Sequence, residues 1–422
     1  NASEADNKQG DVETLWGQIL QDFRDAVELM PSEKKTNGHL DKYTVEGLLT
    51  RAWLFYTGMY CNGSDIAGLT STNYKPLTSV ALPDGGTLTK EDVKKYINDA
   101  AYPETPAYSL VPDFRTLWAY TNAKTVEQYD YTAGKGLKWV EDDNKVNPES
   151  MFAIKFNKQA SWSTTIGYAN GIALHFGVRN DNKYADTFPF GTGWGAGPVA
   201  ENLIIDWKST EPTDIRLEAT INDWRTYPNY YDASAQDFVQ ETDFFNKKWS
   251  PITNKRDGDT YAPTFENDMY PGKWDVSGAD NFQLGNIHDL VLLRYADVLL
   301  MWSELYEDAK GLNEVRHRVG LEPVDYSLEA LQNERRWELA CEGIRWNDIR
   351  RWHIAAAALE KQTNTNIYVG GEATKNTAHN GGYAARYKAT AGFHKMPESQ
   401  IALETVVQNP GWTDASSEYS QW

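Results

Sequence analysis

The sequence predicts a mainly α protein, a helical scaffold interrupted by a long loop-rich region that carries short strands. Three observations predict it. Apolar residues recur at steps of three and four near both ends of the 422-residue chain. From Pro103 to Gly285 those stripes give way to Gly, Pro, Asn and Trp. A hydrophobic content of 41% is enough to bury a large core.

Taken in order, Leu15, Ile19, Phe23, Val27 and Met30 form an amphipathic stripe over Asp11 to Met30, with Asp11 as N-cap and Pro31 as terminator. A polar turn with Asn37 and Gly38 follows, and Val45, Leu48, Leu49, Ala52, Trp53, Tyr56 and Tyr60 repeat the stripe, so two helices form a hairpin. A shorter helix, Lys90 to Ala100, starts with Thr89 and Asp92 in capping-box spacing. In the middle region Met151 to Asn157 alternates apolar and polar positions as a half-buried strand does. Helices are expected again from Ile287 to about Leu359, and the Asn-, Gly- and Thr-rich stretch Thr363 to Ala391 reads as a surface excursion. The organisation expected is one integrated unit with three stretches: 1–102 helical hairpins, 103–285 loop-rich, 286–422 helical.

The most distinctive stretch is Glu334 to Trp352, ERRWELACEGIRWNDIRRW, with five arginines, three glutamates and an aspartate among its tryptophans. On a helix Arg335 and Glu338 stand at i,i+3, Glu338 and Glu342 at i,i+4, and Leu339, Gly343 and Trp346 share a face. An unpaired buried charge is costly, so these groups are expected to neutralise one another and tie helices together. A glycosidase reading of the same carboxylates requires two acids about 5–10 Å apart, but ion networks shift pKa values as readily as active sites do.

This stretch resembles the C-terminal motif of the SusD/RagB family. LRYADVLLMWSELYED (Leu293 to Asp308) and LNEVRHRVGL (Leu312 to Leu321) are similar to the family helices before it, and FHKMPESQIALETVVQNPGW (Phe393 to Trp412) is similar to the family's closing segment. Met151–Asn157 and DIRLEATI (Asp214 to Ile221) resemble two further family blocks. The Ala52-x-x-x-Tyr56 spacing resembles a degenerate tetratricopeptide unit, the scaffold of that family, although the repeat is not assigned from this sequence alone. The resemblance implies an outer-membrane, cell-surface lipoprotein of a Gram-negative bacterium that captures glycans, without catalysis, for a SusC-like TonB-dependent transporter. The alternatives are a RagB-like peptide binder and, from another class, a glycoside hydrolase. It also implies an earlier helical stretch, a signal peptide and a lipidation cysteine, none of which this sequence carries, and any membrane attachment would be through that lipid anchor.

Sugar recognition needs flat aromatic faces and fixed polar groups. Sixteen Trp and twenty-four Tyr are more than a core needs, and the middle region supplies both kinds of group. Trp162 and Tyr168 follow the Met151 strand. Arg179, Asn180, Asp181, Asn182 and Tyr184 come next, and Trp194 stands in the glycine-rich loop Gly191–Gly197, with little side chain beside it to bury it. Trp224, Trp249 and Trp274 are further candidates, against the plain reading of each as core. The family's ligand contacts often come from loops following this strand, so the resemblance points to the same stretch.

Other chemistries find little support. A formal net charge of −19 with no Lys/Arg run argues against nucleic acid. GTGWGAGP lacks the Gly-Lys-Ser/Thr of a phosphate loop. The seven histidines show no metal-ligand spacing, and no cofactor is expected. Glu141-Asp142-Asp143-Asn144 and Asp257-Gly258-Asp259 are calcium-compatible but lack EF-hand spacing, so structural calcium stays possible without support. Cys61 and Cys341 make no disulfide framework and read as small buried hydrophobes.

Overall fold

A computed structural model describes residues 9–61, 65–66, 74–142, 145–156, 170–178, 187–191, 193–227, 242–255, 261–262, 286–369, 372–377, 382–403, 406–409 and 411–412. The chain forms two compact units, one from 1–107, 343–364 and 376–422, the other from 108–342 and 365–375. The expected stretch 286–422 is therefore divided at Gly343, inside the arginine-rich motif.

The first unit is built on the helices Val12–Leu29 and Lys42–Met59. Asp11 caps the first, accepting from the Thr14 amide, and Asp41 caps the second in the same way. Their interface is aromatic, with Trp16 stacked on Tyr56 at 5.4 Å between ring centroids. The expected capping box forms at the start of the helix Lys90–Ala101, with Thr89 and Asp92 each accepting from the other's backbone. The motif's second half contributes the helix Arg345–Arg351. It comes so close to the Lys42–Met59 helix that a side chain on Gly58 would lie 2.9 Å from the Arg351 carbonyl oxygen.

The second unit holds a core of Phe114, Trp118, Tyr120, Phe190, Trp224 and Phe245, all buried. The expected strand at Met151 is found at Ser150–Ile154, paired antiparallel with Leu290–Arg294. That pairing corrects the sequence reading, which had helix from Ile287. LVLLR is a β-favouring run, and helix starts only at Tyr295. Asp214 caps a helix, Ile215–Thr220, where short strands and loops were expected. The stretch read as a surface excursion contains an antiparallel pair, Asn366–Val369 with Glu372–Lys375, in this unit.

The arginine-rich motif is not one continuous helix. Leu328–Glu338 ends at Leu339, Cys341 and Gly343 take positive φ angles of 65° and 80°, and Arg345–Arg351 begins afresh. Glu342 therefore shares no helix face with Glu338. Most of the motif's charges are buried and ion-paired, but they do not neutralise one another as expected: Arg351 pairs within the motif, with Asp348 at 2.9 Å, Arg350 donates to the Ala391 carbonyl, and the other pairs are with partners from far along the chain. Glu338 accepts from Arg216 at 3.0 Å, from Arg294 at 2.9 Å and from Arg318. Arg294 also grips both oxygens of Glu342 at 2.7 Å, and Glu149 joins Arg294 to Arg318. Arg335 pairs with Asp297 at 2.6 Å and Arg336 with Asp206 at 2.6 Å. Burial alone would push the Glu338 carboxyl up, but Arg318, Arg294 and Arg216 together hold it well below the usual carboxylate range. Cys341 is a free thiol, and burial pushes it up to about 11. The Cys61 side chain lies outside the described residues.

Candidate functional site

Of the ligand-site candidates that fall among the described residues, Trp194 is the one the structure places in the open. The short helix Gly171–Phe176 starts at Asn170, whose side chain accepts from the Ile172 and Ala173 amides. Asn170 is itself anchored, donating through its side-chain amide to the His288 carbonyl at 3.0 Å. A helix end leaves carbonyls without intrahelical donors, and here the glycine loop supplies them. The Trp194 amide donates to the Leu174 carbonyl at 2.9 Å, Ala196 to His175 at 2.8 Å, and Gly195 to Gly177 at 2.9 Å.

Two glycines make this approach possible. A Cβ on Gly193 would lie 2.3 Å from the Leu174 carbonyl oxygen and 2.4 Å from the Gly177 Cα, and Gly195 takes φ +77°. The backbone is thus fixed while the Trp194 indole points outward, 48% exposed. The His175 ring meets it at 72° with 4.6 Å between centroids. The result is a held aromatic ring with much of its surface available for a flat apolar partner.

The other sequence candidates fall elsewhere. Trp162, Tyr168, Arg179, Asn180, Asp181, Asn182, Tyr184 and Trp274 lie outside the described residues, as do Asp143, Asn144 and Asp257 to Asp259. Trp224 is 0% exposed and packs against Tyr227 and Phe245, so it has no face to offer a ligand. Trp249 is likewise core, its indole N–H donating to the Cys341 carbonyl at 2.8 Å. Sequence alone does not separate a core tryptophan from a presented one, since both are large and apolar. Among the described residues no group of three His, Cys, Asp or Glu is arranged to hold a metal ion, and no helix is long and apolar enough to cross a membrane.

Sequence reasoning missed a cavity of 720 Å³ in the same unit. Tyr129, Tyr131, Tyr227 and Phe188 form part of its wall, with Lys135, Lys247 and Lys255 as its cations and Asp130, Glu218 and Asp223 as its carboxylates. Burial pushes the Tyr227 phenol up to about 12 and Tyr129 well above the ordinary value, so both stay protonated and can donate as well as accept. The available signal was Lys247-Lys248 in the aromatic run FFNKKW, two cations where a strand pattern demands burial.

The SusD family model matches residues 115–412. Among solved structures, a laminarin-binding SusD-like protein superposes with TM-score 0.62 at 21% identity, over 97% of this chain and 72% of that one. Surface glycan-binding protein A from Bacteroides thetaiotaomicron, in complex with laminarihexaose, gives 0.61 at 17%, over 96% and 72%. The protein of that name from Bacteroides fluxus gives 0.60 at 20%, over 94% and 70%. These likenesses establish a mainly α, SusD-like fold. No curated protein matches the sequence.

Proposed function

The chain belongs to the SusD family, and from that premise we propose that it binds oligo- or polysaccharide without catalysis and passes it to a SusC-like TonB-dependent transporter. In this reading the protein works at the cell surface as an outer-membrane lipoprotein. The observation that carries the carbohydrate reading is the Trp194 indole, exposed at the tip of a loop whose backbone is hydrogen-bonded to a helix end. A pyranose ring presents a C–H face that such an indole can cover, and Tyr168, Arg179 to Asn182 and Tyr184 are proposed to contact the hydroxyls. Solved proteins of similar fold described as laminarin-binding, or in complex with laminarihexaose, support the same ligand class.

The test is a glycan array followed by calorimetry of wild type and Trp194→Ala with the glycan that binds. Binding that is weakened in the variant, with the oligosaccharide recovered at its original length, supports the reading. Shortened products would turn it toward a hydrolase, and an array with no binding glycan would overturn it.

A further inference from the structure

Lys247 and Lys248 are each 3% exposed, yet their surroundings differ. Lys248 has a carboxylate, Glu342 at 2.7 Å, together with the Glu338 carbonyl at 3.0 Å. Lys247 reaches the cavity instead, donating to the Glu218 carbonyl at 2.7 Å and lying 4.1 Å from the centre of the Tyr131 ring. Among the described residues no carboxylate forms an ion pair with it. An ammonium has three donors, and besides that carbonyl its neighbours are ring faces, Tyr131 together with Tyr129 at 5.7 Å and Tyr120 at 5.9 Å. A ring face attracts a cation but does not neutralise it, and a buried charge without a counter-ion is costly.

We infer that this cavity is a carboxylate subsite, seating a uronic acid residue on the Lys247 ammonium. The inference rests on the carbohydrate reading and narrows its ligand class. At 720 Å³ the space is within the range of small-ligand sites, and Tyr131 and Lys255 stand on its wall as polar partners for the sugar's hydroxyls, while the Tyr227 phenol already donates to Asn222 at 3.2 Å. Of the carboxylates around it, Asp223 is occupied by Arg225 at 2.5 Å, while Glu218 and Asp130 lie at exposed positions. The chain's net charge of −19 repels polyanions at long range. The ligand that fits is therefore a largely neutral sugar chain carrying an isolated carboxylate, not a polyuronate.

Titration gives the subsite a signature. Burial pushes the Lys247 ammonium down to about 7, with Glu218 opposing that fall and Lys135 adding to it. Lys255 is the further cation on the cavity wall. A carboxylate placed against Lys247 favours its charged form, so binding slightly above neutral pH draws a proton from solution.

The experiment compares D-glucuronate with its uncharged methyl ester by ligand-observed NMR and by calorimetry at pH 7.5 in buffers of different ionisation heat. Wild type should prefer glucuronate by roughly 10-fold or more, with proton uptake for glucuronate and none for the ester, and Lys247→Met should abolish the preference. Equal affinities in wild type, no glucuronate binding, or binding without proton uptake would overturn the subsite. Should Lys247→Met fail to fold, the ester comparison and proton count on wild type still decide. Intact neutral-glycan binding through Trp194 without an acid preference would sink this inference alone. Absence of any glycan binding would sink the reading beneath it.

Discussion

In the second unit, the charges gathered around Glu338 and the groups at Trp194 and Lys247 are built from similar residue types and have opposite completeness. Around Glu338 the charged side chains meet buried partners of opposite sign: three arginines on one carboxylate, a fork from Arg294 onto Glu342, and Lys248 on the same glutamate. At Trp194 much of an indole faces solvent, and at Lys247 a buried ammonium meets a carbonyl and tyrosine rings but, among the described residues, no paired carboxylate. In the network each charge is answered by its neighbours, although Arg318 Nε is left without a hydrogen-bond partner among the described residues, whereas the open groups still have a ring face or a charge to offer a ligand. Charge density in the sequence therefore marked the structural region, and incompleteness in the structure marks the candidate functional one.

The largest expected effect breaks the closed side. Glu338→Ala leaves Arg216, Arg294 and Arg318 short of a shared counter-ion and should cost about 3–5 kcal/mol of stability. Urea or thermal unfolding checks it, and an unchanged transition would mean that the network is not structural. Trp194→Ala should do the reverse, leaving the melting curve in place and costing about 1–3 kcal/mol of glycan affinity, roughly 5- to 150-fold. A collapsed melting curve would instead make Trp194 part of the packing.

The smallest effect contrasts the two lysines. Because the Lys247 pKa is lowered in the folded state, the unfolded chain binds more protons between about pH 7 and the ordinary lysine value of 10.5, and wild-type stability rises with pH across that window. Lys247→Met removes the buried charge and should stabilise by about 1–2 kcal/mol at pH 6, with the gain shrinking toward pH 10. Lys248→Met takes a cation from Glu342 and should destabilise. The same sign for both variants in chemical denaturation would erase the distinction between them.

What could be read from the sequence was local. Asp11 and the Thr89–Asp92 box lie next to the amides they satisfy, so spacing revealed them. That the motif charges would pair also followed from the cost of burial, but their partners did not. Arg294 and Arg216 lie 44 and 122 residues from Glu338, distances no helical period connects. The break after Glu338 was hidden because Ala340 and Cys341 carry no turn signal and Gly343 fits a helix pattern as well as a positive φ. Trp224 and Trp194 differ in what surrounds them, which only the fold decides. Lys247 was passed over because a lysine in a sequence is presumed solvated.

The contact between Gly193 and Gly177 has a consequence for association. A binding loop that is ordered only in the complex gives up part of its interaction energy to lost chain entropy, on the order of 1–2 kcal/mol per residue fixed. Here the backbone from Gly193 to Ala196 is already tied to the helix Gly171–Phe176 and its flanking residues before any ligand arrives. A flat partner arriving at Trp194 then needs only a side-chain adjustment, so little of the interaction energy is lost to ordering the backbone and encounter can be fast.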